Sequence, residues 1–375
     1  MRMVPTNCAK LGTSLAQDIY NERGSILLKK GVELTETLIS KIEENGVYTI
    51  YIDDGYSNKV IEEIIRPELK MKAVESIKST FASIQKMNKQ AMNKENIHFK
   101  EKLQLLSMGK YLGSLKNISE RIIHELSNNH TLMVNLVDIK NIDNYTYEHS
   151  LNVAILSTIL GLELKLTKNE LYKLFMGALL HDIGKAFIPS EVVMKKGTLN
   201  EEETEMMMAH AQLGYDYLKE SYGLDATSKI IALQHHEKID GTGYPQHAEG
   251  KQIHKFAKIV AIADVYDEMT SDTSYSRAIP PNEAIEFIMA SAGTHFDFEL
   301  TAIFSRKIIP YPEGTIVNLS DKRIGIISAV VPDFPLRPKV KIFEKGAPVD
   351  QFKEVDLLET TNLTILGVRY EDPSD

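Results

Sequence analysis

The sequence contains no tryptophan and a single cysteine, Cys8, among its 375 residues. One cysteine excludes an intrachain disulfide, and the lack of further thiolates excludes a closed structural zinc site built on cysteines. No apolar run reaches the roughly 18 residues expected of a membrane span, and the N-terminus has no apolar signal core. These absences predict a cytoplasmic protein without a membrane span.

Basic charge is also scarce. Lysine and arginine total 43, aspartate and glutamate total 52, and the formal net charge is −9. Nucleic-acid polymers and anionic membranes attract basic surfaces, so the charge balance argues against both as partners. A small nucleotide remains compatible with it, because local metals and a few cations can meet its phosphates.

The helix and strand signals divide the chain into four segments and predict a mainly α protein. We expect a small α+β unit at residues 1–56, a helical connector at 57–131, a helical bundle at 132–309 and a small β unit at 310–375. In the first unit, Thr35 is a suitable N-cap for a helix at Thr35–Glu44, which Gly46 would end. Strand candidates in this unit are Leu15–Tyr20, Ser25–Leu28 and Val47–Asp53. The connector carries no sustained heptad pattern, which favours helices packed on the next domain over a signalling coiled coil.

Six segments of the central bundle have helical patterns, separated by glycine and proline. They are Tyr147–Leu162, Lys168–His181, Glu201–Ser221, Thr227–His236, Ile253–Ser271 and Pro281–Ala292. After Pro310 the pattern alternates as in β-strands, with turn residues between the alternating stretches. The strand candidates there are Thr315–Leu319, Arg323–Val331, Lys339–Phe343 and Leu363–Val368.

The bundle contains residues of the types that bind transition metals. They are His149, His181, Asp182, His210, His235, His236 and Asp264. By helical periodicity His149, His210 and Asp264 each lie on an apolar, inward face. For any one histidine a hydrogen-bonded core position is the simpler interpretation. A buried carboxylate such as Asp264 is costly unless something pairs with it, so the whole set favours a shared cation.

The number and chemistry of these groups favour two metal ions. Imidazole and carboxylate ligands suit first-row transition metals such as Fe, Mn, Ni or Zn. We expect His149, His181 and Asp264 on one ion, His210, His235 and His236 on the other, and Asp182 between them. A metal-bridging hydroxide would then attack a phosphodiester, and both metals would stabilise charge on the in-line transition state.

Lys185 follows this set at a turn after Gly184. One interpretation is a cation that reaches the scissile phosphate. The other is a solvated lysine beyond a helix end, where a cation suits the helix dipole. Position alone does not separate the two.

At these residues the sequence resembles the HD-GYP family of the HD phosphohydrolase superfamily. The matching motifs are Tyr147-Glu148-His149-Ser150, His181-Asp182-Ile183-Gly184-Lys185, His210 with Gly214, His235-His236-Glu237, Asp240-Gly241-Thr242-Gly243-Tyr244-Pro245 and Ala263-Asp264-Val265-Tyr266-Asp267. The resemblance covers roughly residues 132–309, about half of the chain. A His-Asp pair alone would be weak evidence, whereas the ordered set is specific.

The resemblance implies a helical bundle with a di- or trinuclear iron or manganese centre. It implies hydrolysis of the bacterial second messenger cyclic di-GMP to pGpG, and often on to GMP. It assigns Gly243, Tyr244 and Pro245 to substrate contact and to binding of partners such as diguanylate cyclase domains. A rigid turn after a helix is an alternative use of the same three residues. We also expect a homodimer.

Two positions depart from the family pattern. Trinuclear members carry a glutamate four residues before the first ligand histidine, and Tyr145 stands there. We therefore expect two metals. Many active members have an arginine at the position of Thr273, which cannot supply a guanidinium's charge or its bidentate phosphate contact. Arg277, one helical turn later, is a substitute candidate for substrate binding.

Two other functions stay open. A cyclic di-GMP sensor or scaffold with weak catalysis would fit the Thr273 departure. An HD hydrolase of another cyclic dinucleotide would fit the same metal set. Binding without product would indicate the first, and competition between substrates would indicate the second.

Overall fold

The computed structural model describes residues 1–20, 26–56, 64–92, 97–128, 145–221, 223–271, 278–348 and 351–373, without the side chains of 87–92 and 97–111. Helices form the centre of the molecule and short strands form both flanking units. The predicted fold class is confirmed. Among the described residues, no helix combines the length and the apolar character that a membrane crossing needs.

The N-terminal unit contains a three-stranded sheet, a strand pair and one helix. Its elements are β1 (Arg2–Pro5), β2 (Ser14–Leu15), β3 (Ile19–Tyr20), β4 (Ile26–Leu28), α1 (Glu36–Glu44) and β5 (Thr49–Asp53). The sheet order is β1-β5-β2, with antiparallel pairs. Thr35 caps α1 as predicted, because its hydroxyl accepts a hydrogen bond from the Leu38 amide at 3.3 Å. Strand β1 is too short to show periodicity and was not predicted.

Two long helices form the connector, α2 (Pro67–Met92) and α3 (Ile97–Asn128). Proline suits the first position of α2, since its missing amide hydrogen would have no helical partner there. Leu69, Ala73, Ile77 and Phe81 are buried at four-residue spacing on α2 and join the core cluster of the central bundle. The connector therefore packs along the bundle. The predicted boundary at residue 131 lies outside the described residues.

The central bundle is built from α4 (Tyr145–Glu163), α5 (Lys168–Leu179), α6 (Ser190–Val193), α7 (Glu201–Met208), α8 (His210–Lys219), α9 (Ala226–Gln234), α10 (Lys255–Met269), α11 (Pro281–Ala290) and α12 (Phe298–Lys307). Helix α4 is buried from His149 to Gly161 and packs against α5 and α10. Helix α9 contacts α5, α8 and α10. The elements that carry the metal-type residues thus meet in the middle of the bundle.

The single helix predicted at Glu201–Ser221 is wrong, because α7 ends at Met208 and α8 begins at His210. At this break a ring nitrogen of His210 lies 2.6 Å from the Met207 carbonyl, a group that an unbroken helix would use for its own ladder. Helix α12 was not predicted as a separate element. Asp297 caps it, accepting from the Glu299 and Leu300 amides.

The C-terminal unit is a five-stranded antiparallel sheet in the order β10-β6-β7-β8-β9. Its strands are β6 (Ile316–Leu319), β7 (Ile324–Ala329), β8 (Lys339–Ile342), β9 (Glu354–Asp356) and β10 (Ile365–Val368). Four of these strands correspond to predicted segments. Strand β9, with three residues, was missed for the same reason as β1.

The two flanking units contact each other. Arg2 donates to the Tyr370 carbonyl at 3.1 Å. Lys10 pairs with Asp372 at 2.5 Å, and the Tyr56 hydroxyl donates to the same carboxylate at 3.0 Å. The beginning and the end of the described chain therefore lie close together.

Candidate metal centre

The bundle brings the seven predicted metal-type residues to one place. His149 lies in the second turn of α4, His181 and Asp182 follow α5, His210 begins α8, His235 and His236 follow α9, and Asp264 lies within α10. All are buried except His236, whose side chain is 23% exposed. Most of these groups therefore lie at helix ends, whereas His149 and Asp264 lie within helices α4 and α10.

One group of atoms gathers at Asp264 and one oxygen of Asp182. Nε2 of His149 lies 3.0 Å from Asp264 Oδ1, and Nε2 of His181 lies 3.4 Å from the same oxygen. His181 Nε2 is also 3.4 Å from Asp182 Oδ2. These are the residues expected on the first metal, together with half of the expected bridge.

A second group gathers at the other oxygen of Asp182. His210 Nε2 lies 3.3 Å from Asp182 Oδ1 and His235 Nε2 lies 3.9 Å from it. Ligand atoms of Asp182, His210, His235 and His236 all lie within 4.8 Å of one another. His236 also approaches Asp264, with Nδ1 3.8 Å from Oδ2. The two oxygens of Asp182 thus face two different sets of imidazoles.

The centre fits divalent metal ions. His181 Nε2 and Asp182 Oδ1 are fully buried and have no hydrogen-bond partner among the described residues. A buried polar atom without a partner costs about 1–3 kcal/mol, and both atoms point into the cluster. Nitrogen and oxygen donors without thiolates are the set that first-row divalent ions accept. Metal coordination would satisfy the two atoms.

Three histidines are each oriented by the backbone carbonyl three residues earlier. Nδ1 of His181 lies 2.7 Å from the Ala178 carbonyl, and Nδ1 of His210 lies 2.6 Å from the Met207 carbonyl. Nδ1 of His235 has the Ala232 carbonyl at 3.0 Å. A carbonyl only accepts, so Nδ1 carries a proton in each ring and Nε2 faces the centre, where it can bind a cation when it is not itself protonated.

His149 is oriented differently, by a carboxylate. Its Nδ1 lies 2.8 Å from Asp267 Oδ2, and Asn152 donates its amide to Asp267 Oδ1 at 3.1 Å. Sequence patterns did not indicate a role for Asp267. A signal was present, since Asp267 lies three residues after Asp264 and therefore on the same side of α10.

Carboxylates favour the protonated forms of two histidines. Burial lowers the pKa of His149, but its hydrogen bonds to Asp264 and Asp267 outweigh burial and raise the pKa to about 9. Burial likewise lowers the pKa of His181, and the adjacent Asp182 and Asp264 raise it to about 10. Without metal, protons therefore occupy the positions that cations would take.

Burial favours the neutral forms of the other three histidines. Burial lowers the pKa of His210 to about 4 and that of His236 to about 3, and it holds the pKa of His235 well below its ordinary value. Burial would raise the pKa of Asp182, but Lys185 and the neighbouring histidines hold it well below the ordinary value. The centre therefore contains neutral imidazoles facing an ionised carboxylate, as metal binding requires.

Lys185 lies at the centre. It belongs to a short 3-10 helix at Ile183–Phe187, and its Nζ donates to Asp182 Oδ2 at 2.5 Å. Gly184 lets this segment approach α8, because a Cβ there would lie 1.9 Å from the His210 carbonyl oxygen. The side chain is 25% exposed, so the ammonium lies between the buried carboxylate and the surface.

The Gly243-Tyr244-Pro245 loop folds back on His236. The Tyr244 ring stacks on the His236 ring, with centroids 4.7 Å apart and planes at 25°. The Tyr244 amide donates to the His236 carbonyl at 3.2 Å. A Cβ at Gly243 would lie 2.3 Å from the Lys238 amide nitrogen, so only glycine allows this approach.

Glu237 holds the other end of the loop; the sequence motif includes it, but no role was predicted for it. It is 2% exposed, and its carboxylate accepts from the Gln246 amide at 2.7 Å and the Ala248 amide at 2.9 Å. Its place directly after a histidine pair was the available signal. Pro245, which precedes Gln246 in the loop, is half-buried.

The structure describes one of the two positions that depart from the family pattern. The Tyr145 ring stacks against the His149 ring, with centroids 5.4 Å apart and planes at 23°. An aromatic ring therefore stands beside the first ligand histidine where trinuclear members carry a carboxylate. Thr273 and Arg277 lie outside the described residues.

Comparisons with known proteins match most of the chain. A profile described as an HD domain matches residues 122–300, and one described as a KOW domain associated with HD domain matches residues 316–372. A cyclic di-GMP phosphodiesterase of Pseudomonas aeruginosa is 36% identical over 211 residues, which are 56% of this chain and 51% of that protein. A 3'3'-cGAMP-specific phosphodiesterase of Vibrio cholerae is 33% identical over 199 residues, or 52% of this chain and 46% of that protein.

A solved structure shares the fold. Bd1817 of Bdellovibrio bacteriovorus, described as an HDGYP protein, aligns with a TM-score of 0.51 at 16% identity. The alignment covers 81% of this chain and 98% of that one. The chain spans about half the length of the two curated relatives.

Proposed function

Because this chain is a member of the HD-GYP family, we propose that it is a metal-dependent phosphodiesterase that hydrolyses cyclic di-GMP to pGpG, with GMP as a further product. The observation that carries the proposal is the placement of Asp182. One of its oxygens faces His149 and His181, and the other faces His210 and His235. A carboxylate in that position can bridge two ions.

We propose two metal ions, iron or manganese. His149, His181 and Asp264 would hold one ion and His210, His235 and His236 the other, with Asp182 shared. The ligand atoms of Asp182 lie close to those of His149 and His181 and also to those of the other three histidines, which supports this division. When bound, such ions act as Lewis acids that activate water and stabilise charge on a phosphoryl group. Tyr145, in place of a carboxylate, supports two ions over three.

The chain's own residues would position the substrate. Lys185 is the described cation at the centre, and once metals share the charge of Asp182 its ammonium can turn to a phosphate oxygen. Asp182 would act through the metals it bridges. The loop from Gly243 to Pro245 would form one wall beside His236, and Arg277 would supply a further phosphate contact.

A mixed cyclic dinucleotide is the second candidate substrate. The observation that favours it is the similarity to a 3'3'-cGAMP-specific phosphodiesterase. The two substrates share the phosphodiester ring and differ in one base, so the same metal centre would serve both. Substrate competition measures the preference directly.

Further expectations stand as proposals. We propose that the Gly243–Pro245 loop binds signalling partners such as diguanylate cyclases, that the chain forms a homodimer, and that it acts in the cytoplasm, where a bacterial second messenger is found. We retain the four segments 1–56, 57–131, 132–309 and 310–375 as domains. Exposed Gln246 and His247 beside the loop support a protein contact there.

The test is turnover by purified protein loaded with Mn²⁺ or Fe²⁺ without oxygen. We expect pGpG from cyclic di-GMP in the wild type and none from Asp182→Ala. Asp216→Ala is the control, because Asp216 is an exposed aspartate on α8 paired with Lys219. Tight binding of cyclic di-GMP without product would reject hydrolysis and favour a sensor, whereas faster cleavage of 3'3'-cGAMP would reassign the substrate.

A further inference from the structure

His149 differs from three other histidines of the centre in the group that lies against its Nδ1. His181, His210 and His235 each have a backbone carbonyl against Nδ1, at 2.7, 2.6 and 3.0 Å. His149 has the Asp267 carboxylate at 2.8 Å. A carboxylate draws the ring proton more strongly than an amide carbonyl does and leaves Nε2 a stronger donor to a metal.

The Asp267 carboxylate is itself held in place. Asp267 is 1% exposed and Asn152 is fully buried. Asn152 donates to Oδ1 at 3.1 Å, whereas the Ser271 hydroxyl, 3.4 Å from Oδ2, donates to the Asp267 backbone carbonyl. Asn152 holds one carboxylate oxygen while His149 meets the other, so the position of the carboxylate does not depend on the histidine alone.

We propose that Asp267 is a positioning residue that makes the two metal subsites unequal, with the His149 subsite the tighter one. This subsite combines Asp264, one oxygen of Asp182 and a histidine backed by Asp267. The other subsite combines three imidazoles with the second Asp182 oxygen. More negative charge near the first ion and a ring fixed in orientation both favour its binding.

The inference rests on the proposed metal centre and concerns affinity, so metal binding tests it without any substrate. Mn²⁺ titration by calorimetry of the wild type should show two unequal sites. Asp267→Asn keeps the side-chain shape and removes the charge. We expect it to weaken the tighter site by about 10–100-fold and to leave the weaker site unchanged.

Asp216→Asn is the matched control. It makes the same substitution at a surface aspartate of α8 that pairs with Lys219. We expect unchanged Mn²⁺ affinities in this variant. Equal weakening in both variants would show a general effect of charge and overturn the positioning role.

A double-variant experiment assigns the effect to one subsite. His210→Ala should leave one Mn²⁺ site, that of His149, and adding Asp267→Asn should weaken it by the same factor as in the intact centre. Equal affinities of His210→Ala with and without Asp267→Asn would overturn the proposal. Circular dichroism shows that each variant is folded.

The outcomes separate this proposal from the proposed function. Unequal Mn²⁺ sites that respond to Asp267→Asn, in a protein that does not cleave cyclic di-GMP, would support the positioning role and reject the activity. Cleavage of cyclic di-GMP by a protein whose two Mn²⁺ affinities do not change in Asp267→Asn would support the activity and reject the positioning role.

Discussion

Replacing Gly243 with alanine should push the Gly243–Pro245 loop away from His236 at the metal centre. The added Cβ would lie 2.3 Å from the Lys238 nitrogen and 2.6 Å from the His236 carbonyl oxygen. These are backbone atoms that cannot rotate away. An ordinary contact of at least 3.4 Å therefore requires a shift of roughly 1 Å.

That shift acts on two contacts. The Tyr244 amide bond to the His236 carbonyl, at 3.2 Å, contributes about 0.5–1.5 kcal/mol. The stacking of Tyr244 on His236, at 4.7 Å, contributes a similar amount. Misplacing a group at a reacting centre by about 1 Å can cost on the order of 100-fold in rate. We expect a loss of about 1–3 kcal/mol in stability and on the order of 100-fold in kcat/KM.

The assay is thermal unfolding and cyclic di-GMP turnover of Gly243→Ala beside Gly113→Ala. Gly113 lies in α3, and an added Cβ there meets nothing within 4 Å. Alanine in that helix should be neutral or stabilising by about 0.5–1 kcal/mol. Wild-type stability and turnover in Gly243→Ala would refute the argument that the loop's close approach positions His236.

Three other predictions concern the centre. Lys185→Met should lower kcat on the order of 100-fold, and Lys185→Arg should lower it less, because the ammonium lies 2.5 Å from Asp182. An unchanged kcat in Lys185→Met would reject a catalytic role for this lysine. The pKa values of about 9 for His149 and about 10 for His181 exceed the ordinary value of about 6.5. In the metal-free protein, the stabilisation that comes from protonating these two rings is therefore fully present below about pH 6.5 and is lost as the pH rises through 9 to 10. Metal affinity should rise over the same range, because binding releases these protons; pH-independent calorimetric affinity would contradict this. Tyr145→Glu should allow a third metal ion to bind, which elemental analysis would count. A count that stays at two would show that a carboxylate at this position is not sufficient for a third ion.

The clustering of the metal-type residues could be predicted from the sequence, because helical periodicity indicates which residues face the interior of the bundle. His149, His210 and Asp264 each fell on an apolar face, and all three lie inward. The two-metal grouping followed from the number and type of donors and stays a prediction. Neither step required knowledge of how the helices pack.

What could not be predicted depends on tertiary contacts. Asp267 meets His149 across 118 residues of chain, and Gly184 meets the start of α8. Residue spacing reports that Asp267 faces the same way as Asp264, but not what it faces. Short elements were missed as well, because strands such as β1 and β9 are set by their neighbours and carry little periodicity of their own.

The most direct test of the central claim is the number of metal ions retained per chain, by elemental analysis after loading and desalting, in wild type and in Asp182→Ala. Asp182 carries the claim because its two oxygens face the two groups of histidines. We predict two equivalents in the wild type and loss of both in the variant. One equivalent in the wild type, or two retained without Asp182, would contradict the bridged dinuclear centre.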